Sequence, residues 1–234
     1  MICIVLLVYQ EAENLKWMLP QILENIKKTD EDFNILVVDS EKSKDNSNEV
    51  CRQFQVRYVQ QEYPGFGGAY RTAIQCASGD SLLILDSDGQ HSPQDIPKLV
   101  DTYAHGEYDI VIGSRYVKGG NTNENIVSIV MSRILNYIFR MCLGIKAYDI
   151  STNFRIYNLK QLKQCDLECI NFDILQEILL KMKLNNPGLK IGEVPIALNH
   201  RAYGESKRRW LPFIMSYGAS LLKLTGLRIK YGKR

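Results

Sequence analysis

Two carboxylates lie one residue apart in the segment Asp86-Ser87-Asp88-Gly89-Gln90-His91, directly after the apolar run 81–85. A short apolar run that ends in acids and a glycine is typical of a buried strand, and open α/β sheets bind ligands at the carboxyl ends of their strands. Asp86 and Asp88 could there share one divalent cation, because Mg²⁺ and Mn²⁺ favour carboxylate oxygens and Mg²⁺ often takes its other ligands from substrate phosphates. The pair alone is equally consistent with a solvated acidic turn, so its interpretation depends on the neighbouring motifs.

Three further polar clusters follow predicted strands or open a predicted helix. They are Tyr9-Gln10-Glu11, Asp39-Ser40-Glu41 and Gly65-Phe66-Gly67-Gly68. The carboxylates of the first two clusters suit hydrogen bonds from base N–H groups and ribose hydroxyls. The glycines let a backbone approach a ligand, and a helix N-terminus favours negative charge. With a cation at Asp86 and Asp88, the clusters predict a nucleotide-diphosphate site. The glycine segment is neither Gly-x-Gly-x-x-Gly nor a P-loop, which disfavours dinucleotide and ATP sites.

The elements that must position these residues alternate between strand and helix patterns. Strands are predicted over 2–8, 33–38, 56–60, 81–85 and 109–113, and helices over 12–28, 47–54, 68–77 and 96–105. Alternation at this spacing predicts an α/β fold of parallel βαβ units with right-handed crossovers.

The pattern changes after residue 120. Residues 126–144 form a predicted helix with a polar arc that includes Arg133 and Arg140, and residues 210–227 are apolar with basic residues at both ends. Apolar segments with basic ends are typical of helices on an anionic membrane surface, although core helices with solvated ends have the same composition. Each arginine would cost about 2.5–3.5 kcal/mol inside a membrane span, so an interfacial position is expected instead.

Composition excludes some classes of protein. A net charge of +3 over 234 residues is too small to indicate nucleic-acid binding. The six cysteines are scattered without a Cys-x-x-Cys pair, which predicts reduced thiols in a cytoplasmic protein. We expect one catalytic domain over 1–208, with the helix 126–144 inside it, and a membrane-interface segment over 209–234.

Together these motifs resemble the family-2 glycosyltransferases of the GT-A fold, a Rossmann-like nucleotide-diphospho-sugar transferase fold. Within that family they resemble the polyprenyl-phosphate glycosyltransferases of the dolichol-phosphate mannose synthase type. Further matching segments are Val111-Ile112-Gly113-Ser114-Arg115-Tyr116, Asp149-Ile150-Ser151-Thr152-Asn153-Phe154-Arg155, Glu193-Val194-Pro195-Ile196 and Arg201-Ala202-Tyr203-Gly204-Glu205-Ser206-Lys207. The last segment is the most discriminating, because relatives that act on saccharide acceptors usually lack it.

The resemblance implies roles for individual residues. A divalent cation, Mg²⁺ or Mn²⁺, would be surrounded by Asp86, Asp88 and Gln90. The nucleotide sugar would contact Tyr9, Glu11, Asp39, Gly68, Asp86, Ser87, Asp149 and Arg155, the last two shaping the sugar pocket. The acceptor phosphate would be bound by Arg115, Arg133, Arg201 and Lys207. The residues expected to be catalytic are Asp88, Arg115 and Lys207.

The implied reaction is inverting transfer of a hexose to polyprenyl phosphate, with mannose from GDP-mannose or glucose from UDP-glucose as donors. An acceptor phosphate has a second pKa of about 6, so it needs no general base at neutral pH. The enzyme would act peripherally on the cytoplasmic face of a membrane, alone or with a membrane-spanning partner subunit. Ser40 stands where the family usually has a second acid, and Thr152 stands where mannose synthases often have glycine. These differences leave the identity of the nucleotide base and of the sugar open.

Two alternatives remain. A family-2 enzyme with a saccharide acceptor would need a carboxylate base, for which Asp149 and Glu177 are candidates. A non-catalytic, membrane-associated protein that binds nucleotide sugars would retain the fold, but the intact Asp86, Asp88 and Gln90 argue against it.

Overall fold

The computed structural model describes residues 1–201 and 210–232, with the side chains of its last helix from residue 218 onward. The strands are β1 (Ile2–Val8), β2 (Phe33–Asp39), β3 (Arg57–Gln60), β4 (Ser81–Asp86), β5 (Ile110–Ser114), β6 (Asn121–Thr122), β7 (Arg155–Asn158), β8 (Ile191–Pro195) and β9 (Ala197–Leu198). The helices are α1 (Ala12–Ile26), α2 (Ser47–Gln53), α3 (Gly65–Cys76), α4 (Ile96–His105), α5 (Ile126–Leu143), α6 (Leu159–Leu162), α7 (Ile174–Asn185) and α8 (Trp210–Tyr231). The predicted α/β class is confirmed.

One sheet of seven strands organises the fold, in the order β3-β2-β1-β4-β7-β5-β8. Its strands pair in parallel except β7, which is antiparallel to both β4 and β5. The sequence predicted only parallel strands, because β7 has four residues and no strong alternation to mark it. The reversal brings the residues just before β7 to the carboxyl end of β4.

Helices cover both faces of the sheet, as the continuous apolar sequences of β1 and β4 require. On one face, α1 contributes Leu15, Met18, Leu19 and Ile22 to an apolar cluster that also includes residues of α2 and α4. On the other face, α3, α5, α7 and α8 pack around Tyr70, Phe139, Ile178 and Leu224. The ligand-binding edge is therefore left to the loops that follow the strands.

Helix α3 begins at Gly65, so the glycines predicted to form a turn before it lie in its first turn. A Cβ atom on Gly67 would lie 2.0 Å from the carbonyl oxygen of Cys169, and one on Gly68 would lie 1.9 Å from that of Tyr63. Both glycines are thus required for close packing of the protein on itself. Gly68 is buried, and its predicted contact with the nucleotide stays a prediction.

Helix α5 leaves much of its apolar surface exposed. Ile126, Val127 and Met141 are 79%, 72% and 63% exposed. Its inward side carries the core residues Phe139 and Leu143 together with Asn136, which accepts a hydrogen bond from the Ile150 N–H at 2.7 Å and donates to Ser151 Oγ at 3.0 Å. Within the described residues, α5 alone is long and apolar enough to cross a membrane by length and composition, and 17% of it is buried.

Candidate functional site

A cavity of about 690 Å³ lies at the carboxyl edge of the sheet, between the strand ends, α3, α5 and the segment before β7. Eight of the residues predicted from the sequence line it: Tyr9, Glu11, Asp86, Ser87, Asp88, Gln90, Arg115 and Arg201. The structure therefore brings the predicted acids and two of the predicted phosphate-binding arginines into one space.

The two central acids have different partners. Asp86 Oδ1 accepts a hydrogen bond from Asn153 Nδ2 at 2.8 Å, whereas Asp88 Oδ2 lies 3.0 Å from Arg201 Nη2. The backbone N–H of Gln90 donates to Asp88 Oδ1 at 3.0 Å. Burial and the neighbouring Asp86 raise the pKa of Asp88 above its usual value. A pair of close, partly desolvated carboxylates is the electrostatic setting that a cation relieves.

The donor set fits a hard cation that shares its coordination with a ligand. Asp86 and Asp88 provide carboxylate oxygens and Gln90 an amide, which suit Mg²⁺ or Mn²⁺. Across residues 1–201 and 210–232, no group of three or more His, Cys, Asp or Glu side chains could by itself hold a metal ion. A cation at this pair would accordingly take other ligands from water or a diphosphate.

Arg115 forms the cationic side of the cavity and is anchored by Asp149. Its Nε and Nη2 atoms donate to the two carboxylate oxygens at 2.7 and 3.0 Å. Burial alone would lower the pKa of Arg115, but the charge and hydrogen bonds of Asp149 raise it above the ordinary value. Burial would likewise raise the pKa of Asp149, but Arg115 brings it below the usual value. Both groups are therefore charged at neutral pH.

Asp149 is fully buried and does not line the cavity, so it acts on the cavity through Arg115 and through Ser151, whose hydroxyl donates to Asp149 Oδ1 at 3.0 Å. The Glu193 carboxylate from β8 accepts hydrogen bonds from the backbone N–H groups of Asp149 at 3.0 Å and Tyr148 at 2.7 Å. The predicted direct contact of Asp149 with the sugar is thus replaced by a supporting position.

At the opposite end of the cavity, Tyr9, Glu11, Ser40, Glu41 and Gln61 provide polar groups. The carboxylate of Asp39, predicted to contact the nucleoside, is buried and does not line the cavity. It accepts hydrogen bonds from the Tyr58 hydroxyl at 2.8 Å and from the Ser40 N–H at 2.7 Å. Asp39 therefore holds the loop whose next residues face the cavity.

Two other predicted residues, Arg155 and Arg133, do not line the cavity. Arg155 is fully buried and donates to the Leu175 carbonyl and the Tyr157 hydroxyl, which corrects its predicted position in the sugar pocket. Arg133 is exposed and lies 5.2 Å from the Tyr116 ring centroid, outside the cavity lining. Lys207 lies outside the described residues.

Sequence reasoning missed the apolar wall of the cavity and the side chains that support the acids. The wall includes Phe66 and Phe172, stacked with centroids 4.4 Å apart, and Met131 and Leu135 of α5. Asn153 faces Asp86 from within a motif quoted above, but nothing in the sequence indicated which residue of that motif would do so. The positions of Asn153, Met131 and Leu135 depend on the direction of β7 and on how α5 packs, and the sequence predicted neither.

Glu177, a candidate base for a saccharide acceptor, is fully buried in α7. Its carboxylate accepts hydrogen bonds from the backbone N–H groups of Glu168 and Cys169 and lies 2.9 Å from Lys181 Nζ. Cys169 is the residue that packs on Gly67. Glu177 is therefore a support for the loop that covers the start of α3.

Known proteins match this chain in both sequence and structure. The model of the family described as glycosyl transferase family 2 matches residues 3–165. The chain is 31% identical over 214 residues to a dolichol-phosphate mannosyltransferase of Pyrococcus furiosus, covering 88% of this chain and 58% of that protein. It is 30% identical over 211 residues to a polyprenol monophosphomannose synthase of Mycolicibacterium smegmatis, covering 85% and 77% of the two chains.

Among solved structures, glucosyl-3-phosphoglycerate synthase of Mycobacterium tuberculosis, in complex with Mn²⁺, UDP and phosphoglyceric acid, superposes with a TM-score of 0.75 at 20% identity. The match covers 97% of this chain and 78% of that structure. The same enzyme in complex with Mg²⁺ and UDP gives a TM-score of 0.74 at 21% identity, covering 97% and 79%. The chain belongs to glycosyl transferase family 2 and has the GT-A fold of nucleotide-sugar enzymes.

Proposed function

We propose that this protein transfers a hexose from a nucleotide diphosphate sugar to polyprenyl phosphate. The observation that carries the proposal is one cavity in which an acid pair, two arginines and an apolar wall face each other. The acids suit a cation with a diphosphate, the arginines a second phosphate, and the apolar wall a lipid. The names of the two relatives in Pyrococcus and Mycolicibacterium support the same acceptor class.

Neither carboxylate that the sequence suggested as a base for a saccharide acceptor is available in the structure, which favours a phosphate acceptor. Asp149 is ionised but bound by Arg115, and Glu177 is enclosed by backbone N–H groups and Lys181. An alcohol nucleophile needs a base within hydrogen-bond reach, whereas a phosphate oxygen is already anionic at neutral pH. What the acceptor needs instead is alignment and charge screening, which arginine provides.

Each group has a proposed task in the transfer. Asp86 and Asp88, with Gln90 beside them, would hold Mg²⁺ or Mn²⁺, which supplies Lewis-acid stabilisation of the departing diphosphate when bound. Arg115 and Arg201 orient the acceptor phosphate for in-line attack on the anomeric carbon, which inverts its configuration. We assign Lys207 to the same phosphate as a secondary contact, whereas Arg133 lies outside the cavity lining. Tyr9, Glu11 and Ser40 face the nucleoside.

The exposed face of α5 gives the lipid acceptor a route to the cavity. Met131 and Leu135 line the cavity, while Val127, Val130 and Ile134 of the same helix are exposed. An apolar face with arginines at its margin is typical of a helix at a membrane interface. We therefore place the enzyme on the cytoplasmic face of a membrane, with a membrane-spanning partner as a further possibility to test.

Lipid-phase product formation tests the proposal. The protein, polyprenyl phosphate and Mg²⁺ or Mn²⁺ are incubated with labelled GDP-mannose, UDP-glucose or UDP-N-acetylglucosamine in turn, with and without chelator. Chelator-sensitive label in an acid-labile lipid, lost in the Asp88→Asn variant, is the expected result and identifies the donor. Lys190→Met, at a surface ion pair with Glu107, is the matched control and should retain activity.

Label that enters only water-soluble saccharide would contradict the lipid acceptor and support the saccharide alternative. Unchanged biological activity of the Asp88→Asn variant would contradict the catalytic function altogether and favour a binding protein.

A further inference from the structure

Asp86 has a side-chain donor that no role described so far explains. Asn153 Nδ2 donates to Asp86 Oδ1 at 2.8 Å, and Asn153 is 4% exposed. Asn153 reaches Asp86 because β7 runs antiparallel beside β4, which places the residues before β7 at the end of β4. A buried amide that donates to a carboxylate limits the rotation of that carboxylate. Asn153 therefore fixes the orientation of the Asp86 carboxylate.

The orientation of the Asn153 amide is set in turn by Tyr70 of α3. The Tyr70 hydroxyl donates a hydrogen bond to Asn153 Oδ1, and Tyr70 is fully buried. Burial raises the pKa of Tyr70 well above its ordinary value, so the hydroxyl keeps its proton. An amide oxygen that accepts from Tyr70 leaves the NH₂ group to face Asp86. A flipped amide would instead place two acceptors against each other.

The same chain of contacts extends into the core. Tyr157 belongs with Tyr70 to one apolar cluster, and Arg155 Nη1 donates to the Tyr157 hydroxyl at 3.2 Å. Arg155 is fully buried, and its Nε and Nη2 atoms have no hydrogen-bond partner among the described residues. The buried Arg155 cation, which is costly to desolvate, thus holds Tyr157 in the core beside α7. This accounts for an arginine that does not reach the cavity.

We propose that Asn153, oriented by Tyr70, is a positioning residue that sets the Asp86 carboxylate for the cation accompanying the nucleotide diphosphate. The inference rests on the proposed function for the identity of that ligand. Residues that orient metal ligands typically change metal affinity 10–100-fold when they are replaced, so the effect is measurable without turnover.

The experiment is a titration of Mn²⁺ in the presence of GDP or UDP, with free Mn²⁺ followed by electron paramagnetic resonance. We expect Asn153→Ala to weaken Mn²⁺ binding about 10–100-fold and Tyr70→Phe to weaken it less. The double variant should bind no more weakly than Asn153→Ala, because Tyr70 acts through the amide. Tyr103→Phe, a tyrosine of α4 on the other face of the sheet, should bind as the unmodified protein does.

A merely structural role would give a different pattern. Circular dichroism reports whether each variant folds. If Asn153→Ala does not fold, Tyr70→Phe still tests the inference, because it removes only one oxygen atom. Mn²⁺ affinity within twofold of the unmodified protein in both folded single variants would overturn the inference, as would additive losses in the double variant.

The outcomes for the two proposals are distinguishable. Sugar transfer to polyprenyl phosphate by the unmodified protein, with Mn²⁺ affinity unaffected at Asn153, would leave the proposed function standing and reject the positioning role. Weakened Mn²⁺ binding in the Asn153→Ala variant, with no transfer to any lipid acceptor by the unmodified protein, would support the positioning role and reject the proposed function.

Discussion

Replacing Arg115 by Met should destabilise the protein strongly, because it leaves the Asp149 carboxylate buried without its cation. The two side chains are 9% and 0% exposed, so water cannot replace the lost partner. The substitution removes two charge-assisted hydrogen bonds, of 2.7 and 3.0 Å, and leaves Asp149 with the Ser151 hydroxyl and backbone N–H groups. Breaking a buried pair on one side typically costs about 3–5 kcal/mol, and we expect a loss in that range.

Urea denaturation at pH 7, followed by far-ultraviolet circular dichroism, measures this loss. Asp149→Asn keeps an oxygen for the backbone donors but removes the charge, so the double variant Arg115→Met/Asp149→Asn should recover part of the stability. A coupling free energy of about 2 kcal/mol or more is expected. Lys190→Met, which removes an exposed ion pair, should leave the unfolding free energy unchanged within error. A loss below about 1 kcal/mol for Arg115→Met, or additive single losses, would refute the reasoning.

Three further predictions concern Asp149, Asp88 and Gly67. Arg115 lowers the pKa of Asp149 from its ordinary value of 3.8. The stability that the pair contributes should therefore be complete above pH 3.8 and be lost as the pH falls through the lowered pKa of the folded protein. Acid titrations of the unfolding free energy should show this dependence in the unmodified protein and not in Arg115→Met. Asp88→Asn should abolish Mn²⁺ binding without lowering the midpoint of thermal unfolding. Burial and the neighbouring Asp86 raise the pKa of Asp88, so its ionised form is unfavourable in the folded protein and its removal should not destabilise the fold. A large drop in the thermal midpoint would contradict this. Gly67→Ala should cost about 1–3 kcal/mol in urea, because a Cβ there meets a backbone carbonyl at 2.0 Å, whereas Gly218→Ala, with open space around it, should not.

Local patterns predicted the strands and helices of the first half well. The helix α4 begins and ends at the predicted residues, and α1 ends two residues earlier than predicted. The acid pair could be placed because apolar strands with polar ends identify the ligand edge of a parallel sheet. These signals depend on residues close together in the chain.

The remaining features depend on contacts between distant segments. The family resemblance assigned Asp39 and Arg155 to a ligand, yet both are fully buried and hydrogen-bonded within the protein. The short strand β7 has no periodicity to reveal its direction, and that direction decides which side chain of its preceding segment meets Asp86. For α5, composition predicted an amphipathic helix but could not say which side would face the protein.

The inserted position of β7 also has a consequence for the order in which the protein folds. In the described part of the chain, β5 pairs with β7 and β8 alone, so residues 110–114 find no neighbour in the sheet until residues 155–158 have been synthesised. A nascent chain that has emerged only as far as α5 can assemble β3, β2, β1 and β4, with the edge of β4 still open. Closing that edge requires contacts across about 70 residues, a long-range step of the kind that slows folding. During translation, the open edge of β4 is where we expect a chaperone or a misplaced strand to bind first.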